Sequence, residues 1–180
     1  MKSQKKIAVN FILFQLGWFS CVLMAARGLP ETGIIIALLL VGVQLFLADN
    51  RKNLLILLII VTLIGSAWDS VMTSLNILVF NTGMIVSFLA PGWIIAMWLM
   101  FSTTLTISFR WLFGRYWLAM LLGAIFGPLT YQAGAAMGAV VIPDNLLANS
   151  IIAAGWAFLM PLYIKLAEKF HVEDIRGDKI

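Results

Sequence analysis

The sequence predicts an all-α polytopic membrane protein, a bundle of six transmembrane helices with both termini in the cytoplasm. Hydrophobic residues make up 62% of the 180 positions and the mean hydropathy is +1.01. Charged residues reach only 11%, against about 25% in soluble domains. Apolar runs recur along the whole chain, each close to the roughly 20 residues that cross about 30 Å of hydrocarbon. They place spans at about 7–26, 33–48, 54–78, 90–109, 117–140 and 146–166, in one membrane domain covering residues 1–180, with a charged cytoplasmic tail over 167–180.

Turn chemistry separates the spans in order. Arg27–Gly28–Leu29–Pro30–Glu31 ends the first, because Gly and Pro break the helix there. Asp49–Asn50–Arg51–Lys52–Asn53 is short enough to make spans two and three antiparallel neighbours. Phe80 to Pro91 carries no charge. It reads as an outer loop in the interface or as a shallow re-entrant segment, which needs protein or water to satisfy its backbone. Pro91 suits the first turn of the fourth helix. Trp93, Trp111 and Trp117 fall at span ends, where indoles favour the interface, whereas Trp18, Trp68, Trp98 and Trp156 read as packing residues. From Lys165 to Ile180 the charges alternate in sign, as in a solvated helix end that frays or a tail that docks a partner.

Charge placement fixes the orientation. Of the 12 cations, all but Arg27 fall on one side of the six-span arrangement, as the positive-inside rule expects for cytoplasmic termini. Lys2, Lys5 and Lys6 before an apolar run also resemble the opening of a signal peptide, with Ala25–Ala26 near a cleavage point. The run is too long for that and carries Asn10 and Gln15, so a retained span is expected. Cys21 is the single cysteine, which excludes an internal disulfide. No metal motif, cofactor motif, phosphate loop or nucleophile–base pair can be assembled, and the one histidine, His171, lies in the tail. The sequence therefore predicts no metal, no cofactor, no nucleic-acid partner and no catalytic residue.

Asp69 is the one acid inside a span. Thr62, Ser66, Asp69, Thr73 and Asn76 are spaced four, three, four and three residues apart, on one helix face. An intramembrane carboxyl is costly and turns to the bundle interior or a wet cavity. One reading makes Asp69 the acid of a substrate, ion or proton site; the other has it fix packing through interhelical hydrogen bonds. In the fifth span, Gly123/Gly127 and Gly134/Gly138 have the spacing that lets helices approach closely, and Pro128 should kink the helix. Asp69 lies about 15 residues and Tyr131 about 14 residues from the cytoplasmic end of their spans, roughly 22 and 21 Å by helical rise. An outer-half pocket lined by Asp69, Tyr131 and Gln132 follows if spans three and five are neighbours. The hydroxyl run Ser102 to Ser108 reads as packing, each side chain bonding the carbonyl one turn back.

Asn10–Phe11, Phe14–Gln15–Leu16–Gly17–Trp18–Phe19, Trp68–Asp69–Ser70, Pro91 with Trp93 and Trp98, and Gly127–Pro128–Leu129–Thr130–Tyr131–Gln132–Ala133–Gly134 resemble the bacterial family catalogued as domain of unknown function 2878. The resemblance implies a bacterial inner membrane and brings no activity and no catalytic residues. Gene neighbours associated with the family, resembling cyclopropane-fatty-acid synthases and flavin oxidoreductases, imply a link to membrane-lipid modification or to envelope stress. The leading expectation is non-catalytic binding of a lipid or small amphiphile around Asp69, with Ser66, Thr73, Asn76, Tyr131 and Gln132 as its polar companions. The alternatives are a small, proton-coupled transporter and a structural subunit that docks another membrane protein.

Overall fold

The computed structural model describes residues 3–177, with side chains from 4 to 171. Six α-helices follow one another: α1 (Ser3–Ala26), α2 (Pro30–Leu47), α3 (Arg51–Ser74), α4 (Gly92–Ser102), α5 (Tyr116–Ala136) and α6 (Asn145–Gly177). A two-residue antiparallel pair, β1 (Val79–Phe80) with β2 (Val140–Val141), and a short 3-10 helix, Arg110–Leu112, complete the chain. All the helices except α4 are long and apolar enough to cross a membrane. The local signals are direct. Pro30 opens α2 at a position where a missing N–H costs nothing. The Asn50 side chain accepts the Asn53 N–H at 3.0 Å and caps α3. Asn76 then closes α3 in the left-handed region, at φ 55°.

The fourth helix departs from the expected span over 90–109. Pro91 is the N-cap, and α4 stops after 11 residues, about 16 Å of helix. Residues 103–109 continue as tight turns, with Thr103 N–H on Met100 O and Thr104 N–H on Phe101 O. The hydroxyls supply the reason. Ser102 bonds Trp98 O, Thr103 bonds Met100 O and Thr104 bonds Phe101 O, at 2.9, 2.6 and 2.6 Å. They compete with main-chain amides for the same carbonyls. Asn10 and Gln44 then fill the opening. Asn10 donates to Thr103 O at 3.0 Å and to Gln44, while Gln44 donates to Thr103 Oγ1 at 2.7 Å. Ser108 donates to Asn10 Oδ1 at 2.5 Å. The hydroxyl run thus packs locally as expected, but it also breaks the helix.

Helix α1 packs along α2 and α5 along α6, while α4 sits against α1, α2 and α3, and α6 against α3. Exposed Leu39, Phe46, Leu63, Phe126 and Phe158 leave an apolar outer surface. One end of the bundle is basic and is tied by the Lys6–Asp49 ion pair at 2.7 Å. At the other end, Thr82 donates to Ala25 O and Ala90 N–H to Ser70 Oγ, which folds the uncharged 81–91 loop back beside α3. Trp93 corrects the interfacial expectation: it is 2% exposed, and its indole donates to Thr82 O inside that loop. Trp111 and Trp117 are exposed at the basic end. Helix α6 continues past the expected span end to Gly177, so the tail begins as helix. Residues 178–180 of the expected tail lie outside the described residues.

Candidate functional site

Asp69 points inward and is 1% exposed. It stands five residues before the end of α3, and Tyr131 stands five before the end of α5, so each is about 7.5 Å short of its helix end. The Tyr131 hydroxyl donates to Asp69 Oδ1 at 2.5 Å. The Trp98 indole donates to Asp69 Oδ2 at 2.6 Å. One carboxyl therefore joins α3, α4 and α5, although α5 packs chiefly along α6. Trp98 stacks on Trp156 with ring centroids 5.3 Å apart and meets Tyr163 edge-on. Trp156 Nε1 approaches the Tyr131 hydroxyl without bonding it.

Several polar atoms around this centre are buried and make no hydrogen bond within the protein. They are the hydroxyls of Thr62, Ser66 and Tyr163 and the indole N–H of Trp68. Tyr163 lies within electrostatic reach of Asp69. Buried polar groups are nearly always satisfied, by protein or by an ordered guest. The unmatched hydroxyls sit on α3 (Thr62, Ser66) and α6 (Tyr163), two helices that pack together.

The remaining expected site residues separate. Thr73 Oγ1 donates to the Asp69 carbonyl at 2.8 Å and touches no carboxyl oxygen. Asn76 lies beyond α3, exposed, and leaves the set. Gln132 turns away from Asp69 and donates to Asn145 Oδ1 and Asn149 Oδ1, each at 3.1 Å. Gln132 and Asn149 also line an open lateral groove between α5 and α6, walled by Ile125, Pro128, Leu129 and Leu146. Helix α5 runs through Pro128 without a break.

Gly123 and Gly127 face α6. A Cβ on Gly123 would lie 2.4 Å from Trp156 O, and one on Gly127 2.5 Å from Trp156 Cγ. Gly134 and Gly138 do not repeat that contact. Val140 is 3.6 Å from a Gly134 Cβ, and Gly138 is a left-handed turn residue at φ 85° with nothing closer than 4.0 Å. Among the described residues no cluster of three or more His, Cys, Asp or Glu could hold a metal.

The chain matches the family described as protein of unknown function (DUF2878) over residues 7–162. It belongs to that family. No curated protein and no solved structure matches it. The match takes in Asp69, Trp98, Tyr131 and Trp156 and all of the groove between α5 and α6, and it stops one residue before Tyr163.

Sequence reasoning missed Trp98 as a polar partner. An indole in an apolar run reads as packing, and the signal that could have found it is depth. Trp98 lies six residues into α4 and Asp69 five residues from the neighbouring end of α3, so both fall at one level. The Asn10–Gln44–Thr103–Ser108 knot was equally unforeseen as a single unit.

Proposed function

We propose that this chain is a multi-pass protein of the bacterial inner membrane, termini inside, that holds a lipid or small amphiphile in the groove between α5 and α6, as an accessory to membrane-lipid metabolism. The observation that carries this reading is the groove itself. Its lining pairs the apolar walls of Ile125, Pro128, Leu129 and Leu146 with the polar Gln132 and Asn149, the combination that ligand sites use. Ile125, Leu129 and Leu146 suit an acyl chain, and the Gln132 and Asn149 amides suit a polar head that needs donors and acceptors together. The Asp69 centre serves as the frame, since Tyr131 anchors α5 immediately before Gln132. In this reading the turns at 103–109 complete the fourth crossing, giving six passes.

The test is lipid co-purification followed by mass spectrometry. Ala153 lines the groove, so Ala153→Trp should fill it and strip the bound amphiphile while the fold survives. Gln132→Leu should weaken retention by removing the head-group donor. Wild-type lipid content in Ala153→Trp would overturn the reading.

A second reading, a small transporter, is favoured by one observation: the unmatched buried hydroxyls of Thr62 and Ser66, on the same helix as Asp69, and of Tyr163. Under it, proteoliposomes would show ion- or pH-dependent uptake that Asp69→Asn abolishes. Equal uptake by the variant would remove it.

A further inference from the structure

We propose a second lipid site at the basic end, independent of the groove: a headgroup site for an anionic phospholipid on the segment Arg110–Trp117. Arg110 opens the 3-10 helix and Arg115 is the N-cap of α5. Two tight turns fix the backbone between them, with Phe113 N–H on Arg110 O at 3.1 Å and Arg115 N–H on Leu112 O at 2.8 Å. Gly114, at φ 71°, supplies the left-handed residue between them.

Glu168 of α6 pins this segment. Its Oε2 accepts the Tyr116 hydroxyl at 2.6 Å and the Gly114 N–H at 3.3 Å. The carboxylate is thereby engaged with neutral donors, while Lys165 and Lys169 flank it on the same helix, both exposed. Lys165 and Lys169 thus stand beside it on α6, and Arg110 and Arg115 lie on the segment it pins. Neither guanidinium pairs with an acid among the described residues. On the same segment Trp111 is 52% and Trp117 66% exposed, and indoles settle at the headgroup level. A planar guanidinium fork fits a phosphate diester in two-point geometry, which an ammonium does not match. Fixed backbone, two forks and flanking indoles describe a site for a phosphate that is itself anchored in the bilayer.

The experiment titrates detergent-solubilised full-length protein with phosphatidylglycerol and, separately, with phosphatidylethanolamine, counting bound lipid by native mass spectrometry. The wild type should prefer phosphatidylglycerol. Each of Arg110→Gln and Arg115→Gln should weaken that binding about fivefold and the pair about 30-fold, the usual effect of one or two cations near an anionic surface. Phosphatidylethanolamine carries the same diester offset by its own ammonium, so it should bind more weakly and lose less in these variants. Phosphatidylglycerol held as tightly by the double variant as by the wild type would overturn the site. So would an equal loss in Lys5→Gln/Lys52→Gln, which would mean diffuse attraction by the whole basic end. Should the double variant fail to fold, salt decides the matter on the wild type: occupancy must fall as salt rises, and salt-independent occupancy refutes it. Ala153→Trp separates the two sites, since it should leave phosphatidylglycerol occupancy intact; its loss there would place the lipid in the groove instead.

Discussion

The indole of Trp98 lies on the bare Cα of Gly65: a Cβ there would sit 2.1 Å from Trp98 Cδ2. This contact seats the ring where its N–H reaches Asp69 Oδ2. Gly65 is one turn before Asp69 on α3, so one helix supplies both the seat and the acceptor. Gly65→Ala should therefore push the ring off its seat and break the bond it makes. Overpacking costs about 1–3 kcal/mol, and the lost hydrogen bond adds to that. Unfolding by denaturing detergent would measure the loss, and a shift in tryptophan emission would report the moved ring. A variant as stable as the wild type would show that Trp98 is held by other contacts.

Asp69 and Tyr131 join α3 to α5 through one side-chain hydrogen bond, which a double-mutant cycle can isolate. Asp69→Asn keeps one acceptor oxygen but sets an amide donor against one of its two incoming donors. Tyr131→Phe leaves the carboxyl one partner short. Interhelical hydrogen bonds in membranes average about 0.6 kcal/mol with a maximum near 1.7. The cycle should return a coupling within that range, towards its upper end. A coupling of zero would mean that the short contact aligns α5 without stabilising it.

The two glycine pairs of α5 should behave differently. Gly123→Ala would drive a methyl into Trp156 O, a backbone atom that cannot turn aside. Separation of α5 from α6 should follow, with a loss of about 1–3 kcal/mol or more. Gly134→Ala meets only Val140 at an ordinary 3.6 Å and should fall within about 0.5 kcal/mol of the wild type. Melting curves of the purified variants would check both. Equal destabilisation would mean that spacing, not local contact, governs this helix.

What could be read from the sequence follows from how local each signal is. Asp69 was legible because a lone carboxyl in an apolar run must be turned inward, and Tyr131 because rise per residue put it at the same depth. Gln132 was assigned to the wrong neighbour because successive helical residues point about 100° apart; with Tyr131 on Asp69, its neighbour must look elsewhere. Asn76 fitted the helical period, but the helix ended before it, in a left-handed residue that periodicity does not register. The early end of α4 was hidden for a different reason. Hydropathy over 90–109 counts hydroxyls as mildly polar and says nothing of the carbonyls they capture. The residues that complete the break, Asn10 and Gln44, lie 93 and 59 positions from Thr103. A two-residue strand pair has too short a pattern to announce itself.

That knot yields an ordering of effects. Asn10 is its hub: it donates to Gln44 Oε1 and Thr103 O and accepts from Ser108. Asn10→Leu would leave all three of those groups unmatched inside the bundle, and a buried orphan costs about 1–3 kcal/mol. Gln44→Leu removes less. Asn10 keeps Thr103 O and Ser108, and Thr103 Oγ1 keeps its own bond to Met100 O. Asn10→Leu should therefore destabilise the protein more than Gln44→Leu, and amide exchange should rise over residues 103–109 in the first variant before the second. Because the turns there have already given up helical bonding, they have no alternative partner when Asn10 is gone. The reverse order of stabilities would mean that Gln44 holds the broken helix and that Asn10 only follows it.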